Sequence, residues 1–263
     1  MSRRPSFPAR LDLQAGKPVA IKNVAASVRT SGTGGMKFAQ TLPGGHGLDS
    51  HAVRERMVRN LAAQGVSDAA VLAAMGAVER HRFVDSALVN QAYEDTSLPI
   101  GLGQTISKPN VVARMIELLL GGRCDRQGRL GRVLEIGTGC GYQAAVLARV
   151  ATEVYSIERL RGLHDKARDN LRHMRLANVH LLFGDGMAGF ARGAPYAGII
   201  AAAGGEAIPQ AWIEQLAVGG RIVAPMAQAG GKQALVVLEK TPHEVKQSVL
   251  EAVHFVPLKS GIA

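Results

Sequence analysis

The chain has 263 residues, of which 47% are hydrophobic and only 4% aromatic, so we expect a packed core of mainly aliphatic side chains. Its two cysteines, Cys124 and Cys140, are too few for a disulfide framework or a cysteine-rich metal site, and they indicate a reducing compartment. The formal net charge is +10, and half of it comes from residues 1–50, which contain seven Lys or Arg residues and two Asp. Residues 51–263 are therefore too mildly basic to predict a nucleic-acid-binding fold.

The N-terminal part of the chain lacks a hydrophobic period and ends in a glycine-rich stretch, residues 31–47. We therefore predict a flexible basic extension over residues 1–46 and a single folded domain over residues 47–263. The Arg- and Ser-rich extension also has the composition of an organelle transit peptide, which stays open as an alternative. No apolar run reaches the ~18 residues of a membrane helix, and we expect a cytoplasmic protein that does not bind membranes.

Three helices are predicted ahead of the regular part of the chain. The first begins at residues 49–50 and ends before Gly65, which suits a C-cap position. The second begins after Ser67, a residue type that is favoured as an N-cap. A loop-rich stretch over residues 93–109 leads to a third helix over about residues 110–120.

From residue 132 onward, short apolar runs alternate with helical patterns. The predicted strands are 133–136, 154–157, 179–183, 198–202 and 221–225, and helices begin at Tyr142, at Leu160 and near Ile208. This alternation predicts an α/β fold, a doubly wound and mostly parallel sheet with helices on both faces. The last two strands, 234–239 and 248–256, have no helix between them, so we expect them to pair antiparallel.

A glycine-rich turn, Gly137-Thr138-Gly139-Cys140-Gly141, follows the first strand of this pattern, and a helix begins at once. Glycines there let a ligand approach the backbone and the free N–H groups of the helix start. A dinucleotide site reads G-x-G-x-x-G, whereas this turn reads G-x-G-x-G after the acidic Glu135. That variant is typical of S-adenosylmethionine-dependent methyltransferases, whose ligand is cationic at sulfur and carries no phosphate.

Two more acidic residues follow the next two predicted strands. Glu158 lies 19 residues after Gly139, where a carboxylate accepts hydrogen bonds from ribose hydroxyls. Asp185, followed by Gly186, ends the third strand, where adenine is expected. Each acid alone is equally well a solvated loop residue, but together with the glycine turn they predict one cofactor pocket.

The most specific string is Leu-Pro-Ile-Gly-Leu-Gly-Gln-Thr-Ile-Ser at residues 98–107, with Pro109 two positions on. With this string, and with Gly184-Asp185-Gly186, residues 230–233 (Gly-Gly-Lys-Gln) and residues 255–258 (Phe-Val-Pro-Leu), the chain resembles the protein-L-isoaspartate O-methyltransferases from about Arg54 onward. The resemblance implies methyl transfer from S-adenosylmethionine to the α-carboxylate of L-isoaspartyl residues in damaged proteins and peptides. The methyl ester then cyclises to a succinimide, which starts repair.

The resemblance makes Ser107 the active-site residue. A carboxylate is ionised at neutral pH, so we expect Ser107 to position it rather than to act as a nucleophile. A role for Ser107 as N-cap of the third helix stays open. No metal is expected. The motifs and the resemblance together predict these cofactor contacts: Gln104, Thr105, Ile106, Ser107, Glu135, Gly137, Gly139, Gly141, Glu158, Asp185, Gly186 and Gln233.

One departure and two alternatives accompany this interpretation. Ala197 stands where relatives usually have Asp, on a strand expected to border the substrate cleft, so peptide preference can differ. One alternative is a methyltransferase of the same fold that acts on a small molecule or RNA. The other is a nucleic-acid or membrane-surface binder that uses the basic extension and has lost activity. We expect a monomer that needs no nucleic acid.

Overall fold

The computed structural model describes residues 51–122 and 124–263. The predicted basic extension, residues 1–46, and the predicted helix start at residues 49–50 lie outside the described residues. Among the described helices, none is both long enough and apolar enough to cross a membrane.

Two helices, α1 (His51–Ala63) and α2 (Ala69–Ala77), come first. The prediction of Ser67 as the N-cap of α2 is wrong, because Asp68 is the cap and accepts a hydrogen bond from the Val71 N–H at 2.9 Å. Ser67 instead donates its N–H and its hydroxyl to Glu117 Oε1, at 2.7 and 2.9 Å. It therefore ties the α1–α2 connection to a later helix, a partner that the local sequence does not reveal.

The stretch predicted as loop-rich contains a β-hairpin. Its strands, β1 (Leu98–Gly101) and β2 (Gln104–Ile106), pair antiparallel. Helix α3 (Pro109–Leu120) follows, with Pro109 in its first turn and with the Asp95 carboxylate accepting the Asn110 N–H at 2.9 Å. Asp95, not Ser107, therefore supplies a side-chain acceptor at this helix start.

A seven-stranded sheet forms the centre of the fold, in the order β5-β4-β3-β6-β7-β8-β9. Its strands are β3 (Leu130–Ile136), β4 (Ala151–Glu158), β5 (Val179–Phe183), β6 (Tyr196–Ala201), β7 (Leu216–Ala227), β8 (Gln233–Lys240) and β9 (Val245–Val253). Strands β3 to β7 run parallel, while β8 pairs antiparallel with both β7 and β9. The predicted antiparallel C-terminal pair is confirmed.

Helices α4 (Tyr142–Val150), α5 (Arg161–Arg172) and α6 (Gln210–Gln215) connect the parallel strands. Neighbouring residues of β3, Val133 and Leu134, belong to two separate buried clusters, because successive side chains of a strand point to opposite faces. Both faces of the sheet are therefore covered. The predicted doubly wound, mostly parallel α/β fold with N-terminal helices is confirmed.

The strand order indicates where on the sheet a ligand is expected to bind. The chain moves from β3 outward through β4 to β5, then returns to the other side of β3 as β6. In open α/β sheets, the crevice at the carboxyl ends of the strands where the order reverses is the usual binding position. A C-terminal segment, residues 254–263, follows β9, and its Val256 and Leu258 form two backbone hydrogen bonds of 2.8 Å with Gly204, just after β6.

Candidate active site

A cavity of about 460 Å³ lies at the carboxyl ends of β3 and β4, within the size range of small-molecule sites. Its walls come from the glycine turn, the start of α5, the β1–β2 hairpin and the C-terminal segment. Eight of the predicted site residues line it: Gln104, Thr105, Ile106, Ser107, Gly137, Gly139, Glu158 and Gly186. Four others, Glu135, Gly141, Asp185 and Gln233, are not among the lining residues.

The three glycines of the turn differ in what surrounds them. All have positive φ, 88° at Gly137, 56° at Gly139 and 91° at Gly141, which glycine adopts without steric cost. A Cβ at Gly139 would lie 3.2 Å from Ile100 Cδ1, beside the cavity, whereas one at Gly141 would lie 3.0 Å from Leu171 Cδ1. Gly141 therefore makes room for the packing of α5, and Gly137 and Gly139 face the ligand space.

Glu158 lies between the turn and the next helix and is only 5% exposed. Its Oε2 accepts the Gly139 N–H and its Oε1 accepts the Leu160 N–H, both at 2.9 Å. Each carboxylate oxygen has a second lone pair, so Glu158 can hold the turn in place and still accept ligand hydroxyls.

Glu135 is placed behind the turn and away from the cavity. It is fully buried, and this burial raises the pKa of its carboxyl to about 8, although a hydrogen bond from Ser156 favours the charged form. Ser156 in turn bonds Thr138 at 2.6 Å, and Thr138 lines the cavity. Glu135 is thus largely protonated at neutral pH and is not among the lining residues, so it presents no negative charge to a cationic ligand.

Both carboxylate oxygens of Asp185 accept hydrogen bonds from backbone N–H groups. Its Oδ1 accepts the Met187 N–H at 2.8 Å and its Oδ2 accepts the Gly261 N–H at 2.6 Å. Two further backbone bonds of 2.8 Å join Ala263 to Arg159 and Arg161. The C-terminal segment is therefore fastened beside the cavity through the carboxylate that the sequence analysis assigned to adenine.

Gln233 acts on the same segment. Its Oε1 accepts the Phe255 N–H at 2.7 Å and its Nε2 donates to the Phe255 carbonyl at 3.2 Å. The next three residues, Val256, Pro257 and Leu258, line the cavity. Gln233 therefore positions a cavity wall without belonging to it.

Ser107 stands in the wall of the cavity, half-buried, at the end of the hairpin. Among the described residues, nothing forms a hydrogen bond with its hydroxyl, which is therefore available to a ligand. Its carbonyl accepts a hydrogen bond of 2.7 Å from Arg80 Nη2. Arg80 is fully buried and its guanidinium carbon lies 4.8 Å from the centre of the Tyr142 ring, a cation–π contact.

Comparisons with known proteins agree with this geometry. The family model described as Protein-L-isoaspartate(D-aspartate) O-methyltransferase (PCMT) matches residues 52–263. This chain belongs to that family. A protein-L-isoaspartate O-methyltransferase of Methylibium petroleiphilum is 58% identical over 263 residues, covering 98% of this chain and 96% of that protein. Another, of Leptothrix cholodnii, is 61% identical over 221 residues, covering 82% and 77%.

Solved structures are similar as well. A structure named protein-L-isoaspartate O-methyltransferase superposes with a TM-score of 0.71 at 28% identity, covering 80% of this chain and 67% of that one. A Plasmodium falciparum protein with the same family name, solved with S-adenosyl-L-homocysteine, gives a TM-score of 0.65 at 22% identity, covering 78% and 98%, and supports the fold. The chain is an S-adenosylmethionine-dependent methyltransferase that methylates L-isoaspartyl residues in protein repair.

In this methyltransferase, several residues that shape the site had no strong sequence signal. Arg80 and Thr138 act through contacts made only in the folded state. Trp212 donates its Nε1–H to the Gly186 carbonyl at 2.8 Å and so holds a residue of the cavity wall. The size of the tryptophan ring favours burial, but the sequence does not reveal its hydrogen-bond partner.

The departure at Ala197 does not border the methyltransferase cavity. Ala197 is buried near the amino end of β6, and its Cβ lies 3.4 Å from the position of a Cβ on Gly131. The cavity is lined instead by Ala202 and Ala203, beyond the carboxyl end of β6. That the strand carrying Ala197 borders the substrate cleft stays a prediction.

Among the described residues, no group of three or more His, Cys, Asp or Glu could hold a metal ion.

Proposed function

We propose that the cavity holds S-adenosylmethionine next to the isoaspartyl carboxylate and that Ser107 orients this carboxylate for methyl transfer. One observation carries the proposal: Ser107, the glycine turn and Glu158 line the same cavity. The cofactor and the reacting group of the substrate can therefore meet without a large rearrangement of the sheet.

The lining residues fit the cofactor. Gly137 and Gly139 line the cavity and add no side chain to it, and Glu158 offers free lone pairs to two ribose hydroxyls. We assign direct cofactor contacts to Gln104, Thr105, Ile106, Ser107, Gly137, Gly139, Glu158 and Gly186. We assign a supporting role to Glu135, Gly141, Asp185 and Gln233, since their contacts are to the protein.

For this reaction the protein mainly has to position the cofactor and the substrate carboxylate. When bound, S-adenosylmethionine would supply a methyl group whose carbon is electrophilic because it is attached to a positively charged sulfur, a good leaving group. The substrate carboxylate is ionised at neutral pH, so no general base is required. Ser107 donates one hydrogen bond to this carboxylate and leaves a lone pair for the attack, while apolar neighbours such as Ile106 and Val112 exclude water.

Replacement of Ser107 tests this role. We expect Ser107→Ala to lower the methyl-transfer rate by roughly 10- to 1000-fold, as for the loss of one preorganised donor. Cofactor affinity, measured by calorimetry, should change much less. Ser107→Thr is the matched control, since it keeps the hydroxyl and should restore part of the rate. Equal losses of rate and cofactor affinity would assign Ser107 to cofactor binding instead.

We also propose that residues 47–263 form the complete catalytic domain and that residues 1–46 are dispensable for catalysis. The family match, which begins at residue 52, supports this. We further propose a monomer that works in the cytoplasm without nucleic acid. A variant beginning at Gly47 should keep the Tm, the turnover and the monomeric sedimentation of the full chain. A drop of many degrees in Tm, lost activity or a dimer would contradict the proposal.

A further inference from the structure

The hairpin turn beside the cavity contains a leucine in a disfavoured backbone conformation. Among the described non-glycine residues, only Leu102 and Arg175 have a positive φ, and that of Leu102 is 52°. Its neighbours Gly101 and Gly103 have φ of 96° and 69°, so three consecutive residues are left-handed. Glycine adopts this region readily, whereas a bulky side chain is strained there.

Core burial does not account for this leucine, because its side chain is among the exposed large hydrophobic ones, at 61%. A strained and exposed apolar residue at a binding cavity is a sign of function, since folding alone would favour a third glycine or a polar residue. Leu102 lines the cavity. Its exposed surface is therefore available to whatever the cavity binds.

The leucine side chain reaches across to α5. A Cβ placed on Gly162 would lie 3.1 Å from Leu102 Cδ1, so the leucine side chain can pack here because Gly162 has no side chain. Gly162 belongs to the first turn of α5, shortly after Glu158, the proposed ribose acceptor. The contact therefore lies at the cofactor end of the cavity.

The rest of the hairpin is held at two further points. Ile100 packs against the glycine turn, with its Cδ1 3.2 Å from the position of a Cβ on Gly139. The Ile100 carbonyl accepts a hydrogen bond of 2.9 Å from Lys166 Nζ of α5, and this lysine also contacts Asp85 at 3.3 Å. The hairpin thus spans the cavity from the glycine turn to α5, and Leu102 forms the far end of the span.

We propose that Leu102 is a cofactor-retaining residue, whose side chain closes the cavity over the adenosyl part of the bound S-adenosylmethionine and slows its release. This inference rests on the proposed function, because it takes the cavity as the cofactor site. The strained turn holds the leucine over the site, and the ligand covers the apolar surface that the free protein leaves exposed. Release of the cofactor or its product then requires the hairpin tip to leave Gly162.

The test compares the dissociation rate of S-adenosylhomocysteine, followed by stopped-flow displacement, with the Tm of each variant. We expect Leu102→Gly to raise this rate about tenfold, as for the loss of one partly buried leucine contact. The Tm should not fall, because glycine takes the positive φ without strain. A leucine that served only the folded structure would give a lower Tm and an unchanged rate, which would overturn the inference.

Two control variants separate the side chain from the backbone. Leu102→Asn tolerates a positive φ but removes the apolar contact, so it should release the ligand as fast as Leu102→Gly does. Gly162→Ala should raise the rate in the native background and have no effect once Leu102 is glycine, since its methyl group displaces only the leucine. Equal effects of Gly162→Ala in both backgrounds would contradict the contact between Leu102 and Gly162. A native protein that does not bind S-adenosylhomocysteine would overturn the proposed function and the role of Leu102 with it, whereas a native protein that binds it and releases it no more slowly than Leu102→Gly would overturn the role of Leu102 alone.

Discussion

Glu158 and Asp185 stand at the carboxyl ends of two neighbouring parallel strands, β4 and β5, and the same sequence argument assigned both to the cofactor. Glu158 lines the cavity and accepts hydrogen bonds from residues 19 positions before it and two after it. Asp185 is bonded to Gly261, 76 positions along the chain, and does not line the cavity. Carboxylates at equivalent places in the sheet thus make different contacts.

The difference comes from sequence distance. The partners of Glu158 belong to the strand–turn–helix unit that surrounds it, so a local pattern predicts its position. Asp185 bonds to a segment that follows four more strands, β6 to β9, in the chain, and no local sequence pattern indicates this contact. A strand-end carboxylate is therefore predictable as a polar group at the crevice, but its partner is not.

Replacing Glu158 or Asp185 with alanine tests this contrast, and we expect the largest effects from these two variants. We expect Glu158→Ala to weaken S-adenosylmethionine binding by about 1–3 kcal/mol, because ribose hydroxyls and two backbone N–H groups lose their charged acceptor. Asp185→Ala should weaken binding less and should chiefly loosen the C-terminal segment, with faster amide exchange at Gly261. Calorimetric titration and hydrogen exchange give the two quantities.

The reverse pattern would break the comparison. If Asp185→Ala weakens cofactor binding as much as Glu158→Ala does, the Asp185 carboxylate contacts the ligand directly, as the sequence analysis proposed. Unchanged affinity in Glu158→Ala would place the ribose elsewhere in the cavity.

Glu135, the third strand-end acid, gives a smaller effect that depends on pH. Burial raises its pKa from 4.5 to about 8, so between these values the folded protein keeps a proton that the unfolded chain has released. Its contribution to stability is full below pH 4.5 and is lost as the pH rises through about 8. We expect the free energy of unfolding of the native protein to fall by about 1 kcal/mol relative to that of Glu135→Gln between pH 6 and 7, seen as a difference in Tm of a few degrees. A difference in Tm that stays constant with pH would show that Glu135 is already charged.

Much of the fold follows from the sequence because its signals are local. The alternation of strands and helices from residue 132 and the glycine turn predict the sheet and the position of the cavity. The hairpin of β1 and β2 escaped prediction, since strands of four and three residues are too short to show a period of two. The cap at Asp68 and the anchoring of Phe255 by Gln233 escaped because competing partners are decided by tertiary contacts.

A pair of peptides tests the central claim, that Ser107 and the cofactor cavity together select an isoaspartyl carboxylate. The two peptides are identical except that one contains a single isoaspartyl residue and the other its normal aspartyl counterpart, and S-adenosylmethionine carries a labelled methyl group. We predict transfer to the isoaspartyl peptide alone, and release of the label as volatile methanol in mild base, because the product is a carboxyl methyl ester. Equal transfer to both peptides, or a label that is stable in base, would contradict the account.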